Sequence, residues 1–330
     1  MNTNINATTA TDSTAQEILD KLKTVDGAGS GLDADLVQGK DVYSTISNPN
    51  LLINGDFQVW QRGESFTATS KVFNFYTADR WILRYPNGRI EKVLSGLPLF
   101  KYAARFTNTG TTNDYNVLHY NMENTAELAG SPLTLSFYIR GTDGKTVITT
   151  LGSANYSINI TKQWTKHVCS IGSVAFGEHF RRGVAFNTLN QNFAANEYFE
   201  IAAVKIELGN TATPYVPRSY GEELALCKRY YEKIDRYDGL FCEMAGMIIS
   251  NMRFSDKRTV PKISFTDSDG KQRYIDYYPS DGNWLKLKTS DSDARTDAFQ
   301  FQLLNRSDIS AKPAVGHIVA RNLEFDAEIY

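Results

Sequence analysis

The sequence is poor in the residues that most often carry catalysis, metal binding and cross-linking. It contains 3 cysteines and 4 histidines among 330 residues. The cysteines are an odd and widely spaced set that fits no disulfide framework, which predicts free thiols in a reducing compartment (Cys169, Cys227 and Cys242). The histidines lie far from one another and from any cluster with metal-ligand spacing (His119, His167, His179 and His317).

Recognisable catalytic motifs are missing as well. The sequence contains no His-Glu-x-x-His, Gly-x-Ser-x-Gly or Cys-x-x-Cys. The aspartates at 267–269 and 291–297 do not match an EF-hand calcium loop. We therefore expect no catalytic residue, no metal and no cofactor, and a protein that is not an enzyme. Glycoside hydrolysis stays open as an alternative, because its carboxylate pair is assembled in space, and four acidic residues are available (Glu64, Asp79, Glu178 and Glu207).

The sequence also lacks an excess of either charge and any long apolar run. Lys and Arg total 35 against 37 Asp and Glu, for a formal net charge of −2. This balance gives no electrostatic reason to expect nucleic acid or anionic lipid as the main partner. No stretch approaches the roughly 18 apolar residues of a membrane span, and Met1–Ala10 shows no signal-peptide pattern. We expect neither a nucleic-acid partner nor membrane insertion.

What the sequence does contain is typical of β-structure. Phe and Tyr number 18 each, and aromatic residues favour pleated surfaces. Four apolar residues alternate with polar ones before the turn sequence at 141–144 (Leu133, Leu135, Phe137 and Ile139). Apolar positions change phase between residues 199–201 and 204–208, which predicts a bulge at Ala202-Ala203. Many short strands with turns between them predict a β-sandwich over residues 50–217.

Two short helices are predicted from capping boxes. Thr14 and Glu17 have the required spacing in the N-terminal segment, residues 1–49, and Ser219 and Glu222 have it near residue 220. The first helix carries an apolar stripe that needs a partner, and we expect it to serve oligomerisation (Ala15, Ile18, Leu22 and Val25). The second carries a stripe that predicts a linker helix within residues 218–239 (Leu224, Cys227, Tyr231 and Ile234).

Residues 240–330 return to a β pattern and predict a smaller C-terminal β domain. Asp269-Gly270 lies between two strand-like runs and predicts a hairpin, and Asp281-Gly282 precedes a further strand. The second turn lies among aromatic residues, and loops on a rigid scaffold commonly carry recognition. We therefore predict a glycan-contacting surface in this domain (Tyr277, Tyr278, Asp281, Asn283 and Trp284). The alternative is that Trp284 opens a core strand.

Several segments resemble known families. Residues 50–63, Asn-Leu-Leu-Ile-Asn-Gly-Asp-Phe-Gln-Val-Trp-Gln-Arg-Gly, resemble the opening strand of carbohydrate-binding jelly-roll modules, and residues 163–168 resemble their Trp-Lys-Arg strand. Residues 76–81, Tyr-Thr-Ala-Asp-Arg-Trp, resemble phage tail-fibre proteins. So does the run 206–231, which contains Pro-Arg-Ser-Tyr-Gly-Glu-Glu-Leu. Residues 25–36 are similar to tail-fibre segments that read Gly-Leu-Asp-Ala-Asp-Leu-Leu-Asp-Gly, although this chain continues as Val-Gln-Gly.

The resemblance implies a mostly β protein with a jelly-roll β-sandwich and a virion role. It implies a homotrimeric tail-fibre or tail-tip subunit, made in the host cytoplasm and located in the phage tail. The N-terminal segment would dock on tail or baseplate proteins, and the chain would bind a host glycan or receptor. A virion-associated glycan depolymerase and a purely structural tail connector are the alternatives. In such modules an acid is common where Gln58 stands, so a structural calcium is not expected, and Trp60 is expected in the core.

Overall fold

The structure is a computed structural model of the chain. It describes residues 14, 17–18, 20–21, 24, 36–37, 40–41, 47–67, 74–84, 87–110, 116–178, 181–244, 247–279, 285–290, 298–303 and 315–328. The chain divides into two compact units. Residues 1–49 and 213–216 form the first, and residues 50–212 and 217–330 form the second. In the described ranges, no helix has the length and apolar character that crossing a membrane requires.

The first unit contains the predicted N-terminal capping box. The backbone amide of Thr14 donates to Glu17 Oε2 at 2.8 Å, and the Glu17 amide donates back to Thr14 Oγ1 at 3.2 Å. The described residues that follow are helical, and Ile18 is half exposed. A short antiparallel pair follows, β1 (Leu36–Val37) and β2 (Lys40–Asp41). The other predicted oligomerisation residues lie outside the described residues (Ala15, Leu22 and Val25).

The second unit begins with a β-sandwich of twelve described strands and one short helix. The first sheet has the order β11-β10-β13-β8-β5-β4, and the second has the order β12-β9-β14-β7-β6-β3. All ladders are antiparallel. The elements are β3 (Ser65–Thr67), β4 (Asn74–Tyr76), β5 (Trp81–Arg84), β6 (Gly88–Leu97), β7 (Phe100–Asn108), β8 (Val117–Asn121), α1 (Thr125–Leu128), β9 (Leu133–Gly141), β10 (Lys145–Leu151), β11 (Ala154–Ile160), β12 (Thr165–Ile171), β13 (Gly183–Asn187) and β14 (Tyr198–Leu208).

The sandwich core is apolar and rich in aromatic residues. The alternating residues of β9 all enter it, as the period-2 pattern predicts (Leu133, Leu135, Phe137 and Ile139). Trp81 is fully buried, with its ring centroid 4.8 Å from that of Phe57. Trp60 is 7% exposed and stacks on Phe66 with centroids 6.5 Å apart, so the prediction that it is a core residue is confirmed.

The predicted bulge is present in β14. Its register against β9 shifts between Ala202 and Lys205, and Ala203 has φ of 49°. The extra residue returns Val204 and Ile206 to the core. The phase change in the sequence therefore reports a real change of strand geometry.

The linker helix exists but is shorter than the pattern predicts. Helix α2 (Tyr220–Lys228) begins at a complete capping box, in which Ser219 Oγ accepts from the Glu222 amide at 3.3 Å. The chain then enters β15 (Tyr231–Met244), so the prediction that Tyr231 and Ile234 continue the helical stripe is wrong. The reason is tertiary, because β15 gains a long backbone ladder with β21 (Val315–Asp326).

The C-terminal sheet contains five further strands. These are β16 (Met247–Arg253), β17 (Lys262–Thr266), β18 (Tyr274–Pro279), β19 (Leu285–Ser290) and β20 (Ala298–Leu303). Its order is β15-β16-β20-β19-β18-β21-β17, and β15 also pairs with β21. The pairings therefore close a ring of six strands, which protects the backbone groups that edge strands would expose.

The two predicted hairpins of this sheet have different outcomes. Strands β18 and β19 do pair, in the register Tyr277 opposite Leu285. The hairpin predicted at Asp269-Gly270 is wrong apart from a single bridge, because β17 and β18 both pair with β21 rather than with each other. The local turn is nevertheless present, since Asp267 Oδ1 accepts from the amides of Asp269 and Lys271 at 2.9 Å each.

Candidate functional site

The residues predicted to contact a glycan fall mostly outside the described part of the chain. Asp281, Asn283 and Trp284 belong to the undescribed segment 280–284. Tyr277 and Tyr278 lie on β18, where their backbones pair with β21, but their side chains are outside the described part. This surface stays a prediction.

A cleft of about 520 Å³ opens on the outer face of the sheet that contains β4, β5 and β8. The three strands form its floor. Its walls come from two segments, the start of α1 with the residue that follows it, and the chain before β13 (Thr125, Ala126, Ala129, Phe176, Gly177, Glu178 and Arg182). This volume lies in the range typical of small-ligand sites. The cleft is the candidate functional site.

Strand alternation explains which side chains form the floor. Successive residues of β5 and β8 point to opposite faces of the sheet. One set enters the core of the sandwich (Trp81, Leu83, Leu118 and Tyr120). The intervening residues therefore face the cleft, namely Ile82, Arg84, His119 and Asn121. Sequence reasoning missed this set, although its alternation with the core residues was visible.

Asn121 is the cleft residue whose surroundings point most directly to a ligand. Its side chain is buried, and its Oδ1 has no hydrogen-bond partner among the described residues. Buried amide oxygens are nearly always hydrogen-bonded, so an unsatisfied one requires an explanation. The backbone here is held from two sides, because Arg80 Nη2 donates to the Asn121 carbonyl at 2.9 Å and Gly183 of β13 pairs opposite. The strand therefore fixes the position of the Asn121 side chain in the lining of the cleft.

The charged lining of the cleft is mostly basic. Arg84 ends β5, and Arg182 directly precedes β13. Both are partly buried, and Glu178 is the carboxylate among the lining residues. Arg182 forms no ion pair within the described ranges.

The four carboxylates considered for hydrolysis do not gather in this cleft. Glu178 lines it, whereas Glu64 pairs with Lys92 at 2.8 Å on the other sheet. Glu207 is fully buried 3.2 Å from Lys205 Nζ. Asp79 is also buried, and it lies outside the cleft, where it accepts a hydrogen bond from the Gln61 amide. No group of three or more potential metal ligands occurs in the part of the chain that the structure describes.

Asp79 belongs to a buried polar cluster that we call the junction, where the sandwich meets the C-terminal sheet. Arg80 is its central cation: the side chain is almost fully buried, forms an ion pair with Glu328, and lies 3.7 Å from the centroid of the Tyr230 ring. Arg62 lies 3.4 Å from the centroid of the Tyr231 ring and 3.4 Å from Glu328 Oε1. One carboxylate therefore joins two cations of the sandwich to the end of the C-terminal sheet.

Asp79 links the same elements through Gln61. The Gln61 amide donates to Asp79 Oδ1 at 2.9 Å, and Gln61 Nε2 donates to the Tyr231 carbonyl at 2.8 Å. Burial raises the pKa of the Asp79 carboxyl above its ordinary value, although Arg62 opposes this shift. These contacts fix the start of β15 against the loop before β5.

A second part of the junction holds helix α2. Both carboxylate oxygens of Glu223 accept from Arg218 Nη1, at 3.0 and 3.2 Å, and the Asn54 amide also donates to Glu223. Nearby, Asp56 is 4% exposed and its Oδ1 has no hydrogen-bond partner among the described residues. Burial raises the pKa of Asp56 to about 6, and the proximity of Glu223 adds to the rise.

The junction unites segments that resemble jelly-roll modules and tail fibres. Residues 54–62, 76–81 and 218–231 meet there, although they are far apart in the sequence. Sequence reasoning did not identify their role. The structure shows that their charged residues connect the opening of the sandwich, helix α2 and the C-terminal sheet.

Comparisons with known proteins give only distant similarity. No protein-family model matches the chain, and no curated protein sequence does. One similar solved structure is the CBM22-1 xylan-binding domain from Paenibacillus barcinonensis, at 12% identity over 50% of this chain and 98% of that chain, with a TM-score of 0.32. A cyclase from Fischerella sp. TAU has 14% identity over 51% of this chain and 100% of that chain, with a TM-score of 0.35.

A third similar structure is the enzymatically active domain of tailspike protein 4 from bacteriophage CBA120. Its identity is 13%, the TM-score is 0.29, and the match covers 48% of this chain and 21% of that chain. Similarity as low as in these three comparisons carries no inference about the function of this chain.

Proposed function

We propose that this chain is a phage tail-fibre or tail-tip protein that binds a host-surface glycan through the cleft on its sandwich. The observation that carries the glycan part is the buried Asn121 side chain, which lines a ligand-sized cleft and whose Oδ1 has no hydrogen-bond partner among the described residues. A sugar hydroxyl can donate to this oxygen and satisfy it. The rigid β8 backbone holds the acceptor in place before a ligand arrives.

The remaining lining suits a sugar ring. Tyr76, Ile82 and Phe176 supply apolar and aromatic surface beside the polar groups. A sugar ring has apolar faces bordered by hydroxyls, and aromatic side chains pack against such faces while neighbouring polar groups bind the hydroxyls. Mixed apolar and polar lining of this kind fixes both the affinity and the orientation of a ligand.

Binding without hydrolysis is the proposed activity. Glycosidases use two carboxyl groups that flank the scissile bond. The described lining of the cleft supplies one carboxylate, Glu178. A single carboxylate suits hydrogen bonding to hydroxyls, so we assign the cleft a binding role.

The tail role is supported by the sequence resemblance of residues 25–36, 76–81 and 206–231 to tail-fibre proteins. In this proposal residues 1–49 dock on the tail and the chain forms a homotrimer. One weak glycan site has an affinity of about 1 mM, or roughly −4 kcal/mol. Three linked sites can gain a factor on the order of 10² by avidity, so a weak cleft is sufficient for attachment.

The glycan part is tested by direct binding of the purified full chain to host polysaccharide and to host cells. Asn121→Ala should weaken binding on the order of tenfold, because the ligand loses one buried hydrogen bond. Asn159→Ala is the matched control, since Asn159 is exposed on β11 of the same sheet and does not line the cleft. Equal binding by the two variants would remove the cleft from the proposal.

The tail part is tested separately by deleting residues 1–47. The truncated protein should stay folded and bind glycan, but it should no longer enter virions. Normal incorporation of the truncated protein would contradict the docking role.

A further inference from the structure

We propose that Glu328 sets the affinity of the cleft from the C-terminal part of the chain, through two positioning residues, Arg80 and Arg62. This inference rests on the proposed glycan binding and adds how that same site is controlled. Arg80 contacts Asn121 and Arg62 contacts Tyr76, and both of the contacted residues line the cleft. Both arginines also form ion pairs with the Glu328 carboxylate.

The contact of Arg80 holds the end of β8. The register of β5 against β8 ends at the pair of Trp81 and Tyr120, so Asn121 lies one residue beyond this ladder. There Arg80 Nη2 donates to the Asn121 carbonyl at 2.9 Å. Because the carbonyl and the side chain belong to the same residue, a shift of this hydrogen bond also moves the amide group that is proposed to bind a sugar hydroxyl. Arg80 therefore contributes to the preorganisation of the site.

The contact of Arg62 acts on the aromatic part of the lining. Tyr76 is the last residue of β4, and the Arg62 guanidinium carbon lies 5.0 Å from the centroid of its ring. The same guanidinium lies 3.4 Å from the centroid of the Tyr231 ring at the start of β15. A cation is attracted to the face of an aromatic ring, and the attraction is stronger where water is excluded. The ring proposed to pack against a sugar is thus held by a cation that also contacts the C-terminal sheet.

Glu328 connects the two arginines. Its side chain is fully buried, and its backbone is fixed, because Arg258 Nη2 donates to the Glu328 carbonyl at 3.1 Å. The preceding amide, that of Ala327, donates to the Tyr230 carbonyl at 2.7 Å. A buried guanidinium that loses its carboxylate is strongly destabilised and moves toward other acceptors or water. Removal of the Glu328 charge should therefore displace both arginines from the residues of the cleft.

The coupling between Glu328 and the cleft is reciprocal. If the carboxylate strengthens glycan binding by some factor, a bound glycan must stabilise the arrangement of the carboxylate by the same factor. Couplings between two sites of a protein are typically about 5-fold to 150-fold. Occupation of the cleft should therefore be detectable at the C-terminal part of the chain.

The experiment is calorimetric titration of the purified full chain with xylohexaose, oligogalacturonate and purified host polysaccharide. The probe that binds the wild type most tightly is then titrated into the variants. Glu328→Gln should weaken its binding on the order of fivefold or more. Glu232→Gln is the matched control, because Glu232 is also a buried carboxylate, lies on β15 and pairs with Lys257 at 2.6 Å, but does not line the cleft. This control should leave the affinity unchanged although it too removes a buried ion pair.

A double-mutant cycle separates positioning from a general loss of stability. If Glu328 acts through Asn121, then Glu328→Gln should reduce the affinity less in an Asn121→Ala background than in the wild type. Fully additive effects of the two changes would overturn the inference. Equal losses of affinity in Glu328→Gln and Glu232→Gln would overturn it as well.

Hydrogen exchange of the wild type tests the same coupling without any substitution, so the test does not depend on the folding of Glu328→Gln. Exchange at the Ala327 amide should slow on the order of fivefold when the cleft is saturated with the chosen probe. The Asp269 amide, which donates to Asp267 Oδ1 in a turn of the same sheet, should not change. Unchanged exchange at Ala327 would overturn the inference. Failure of all three probes to bind the wild type would instead overturn the proposed function, and this inference with it.

Discussion

Replacing Asp56 by asparagine should make the protein more stable at neutral pH. The Asp56 side chain is 4% exposed, and its Oδ1 has no hydrogen-bond partner among the described residues. Gln58 Nε2 donates to the other carboxylate oxygen, and Arg218 neutralises the nearby Glu223 instead of Asp56. An ionised carboxylate at this position is therefore poorly compensated, and asparagine removes the charge while keeping the shape.

The size of the effect follows from the pKa. Burial raises the pKa of Asp56 from its ordinary value of 3.8 to about 6. At about 1.4 kcal/mol for each unit of pKa difference between the folded and unfolded states, the charge costs the folded state about 3 kcal/mol at neutral pH. The folded state binds the proton more tightly than the unfolded state does. The wild type is therefore most stable, as far as this group is concerned, below about pH 4, where the carboxyl is protonated in both states. This stability is lost as the pH rises to about 6, because the buried carboxyl then ionises.

The assay is urea unfolding of the wild type and of Asp56→Asn between about pH 4 and pH 7. The difference in unfolding free energy should be small at the acidic end and should grow to about 3 kcal/mol in favour of the variant by pH 7. Asp143→Asn serves as the control, because Asp143 is exposed in the turn between β9 and β10. A difference that does not change with pH would refute the reasoning.

Three further changes test other parts of the fold and the predicted surface. Glu328→Gln should lower the unfolding free energy by about 3–5 kcal/mol, because it leaves the Arg80 guanidinium buried without its ion pair. A loss below about 1 kcal/mol in denaturant would show that the pair is solvated. Gly141→Ala should lower the unfolding free energy by about 1–3 kcal/mol, since a Cβ there would lie 2.3 Å from a backbone oxygen of β14. Gly172→Ala is the control, because Gly172 has open space around it, and this change should be nearly neutral in the same thermal melts. Trp284→Ala should weaken cell adsorption, as a second glycan contact in addition to the cleft, with little change in melting temperature, and a large loss of stability would instead place this residue in the core.

The parts of the fold that were predictable from sequence are those set by neighbouring residues. The capping box at Ser219 and Glu222 depends on a spacing of three residues, and it forms as predicted. The bulge beside Ala203 was readable from the phase of the flanking apolar side chains, because a period-2 pattern cannot change face without an inserted residue.

The parts that could not be predicted depend on distant partners. Tyr231 continues the helical spacing of α2, but its backbone pairs with Asp326 and joins a strand. Local propensity is a weak guide when a strand elsewhere offers a complete ladder. Similarly, the turn at Asp267 forms as a local unit, yet the strands on either side of it are separated by β21.

The candidate site shows the same division. Alternation along β8 implies that His119 and Asn121 face away from the core. It does not reveal that Arg84 and Arg182 line the same cleft, because β5, β8 and the segment before β13 become neighbours only in the folded sheet.

The ion pair between Arg80 and Glu328 has a consequence for biosynthesis. The two residues are 248 positions apart, so a ribosome working at about 5–20 residues per second needs roughly 12–50 s after Arg80 before Glu328 is made. Throughout this interval Arg80 can donate to the Asn121 carbonyl within the sandwich, but it lacks its carboxylate partner. A nascent chain that terminates before Glu328 would lack the carboxylate that compensates the buried Arg80 and Arg62 side chains, and an uncompensated buried charge is strongly destabilising. The junction is therefore completed only after β21 and the residues that follow it have been made.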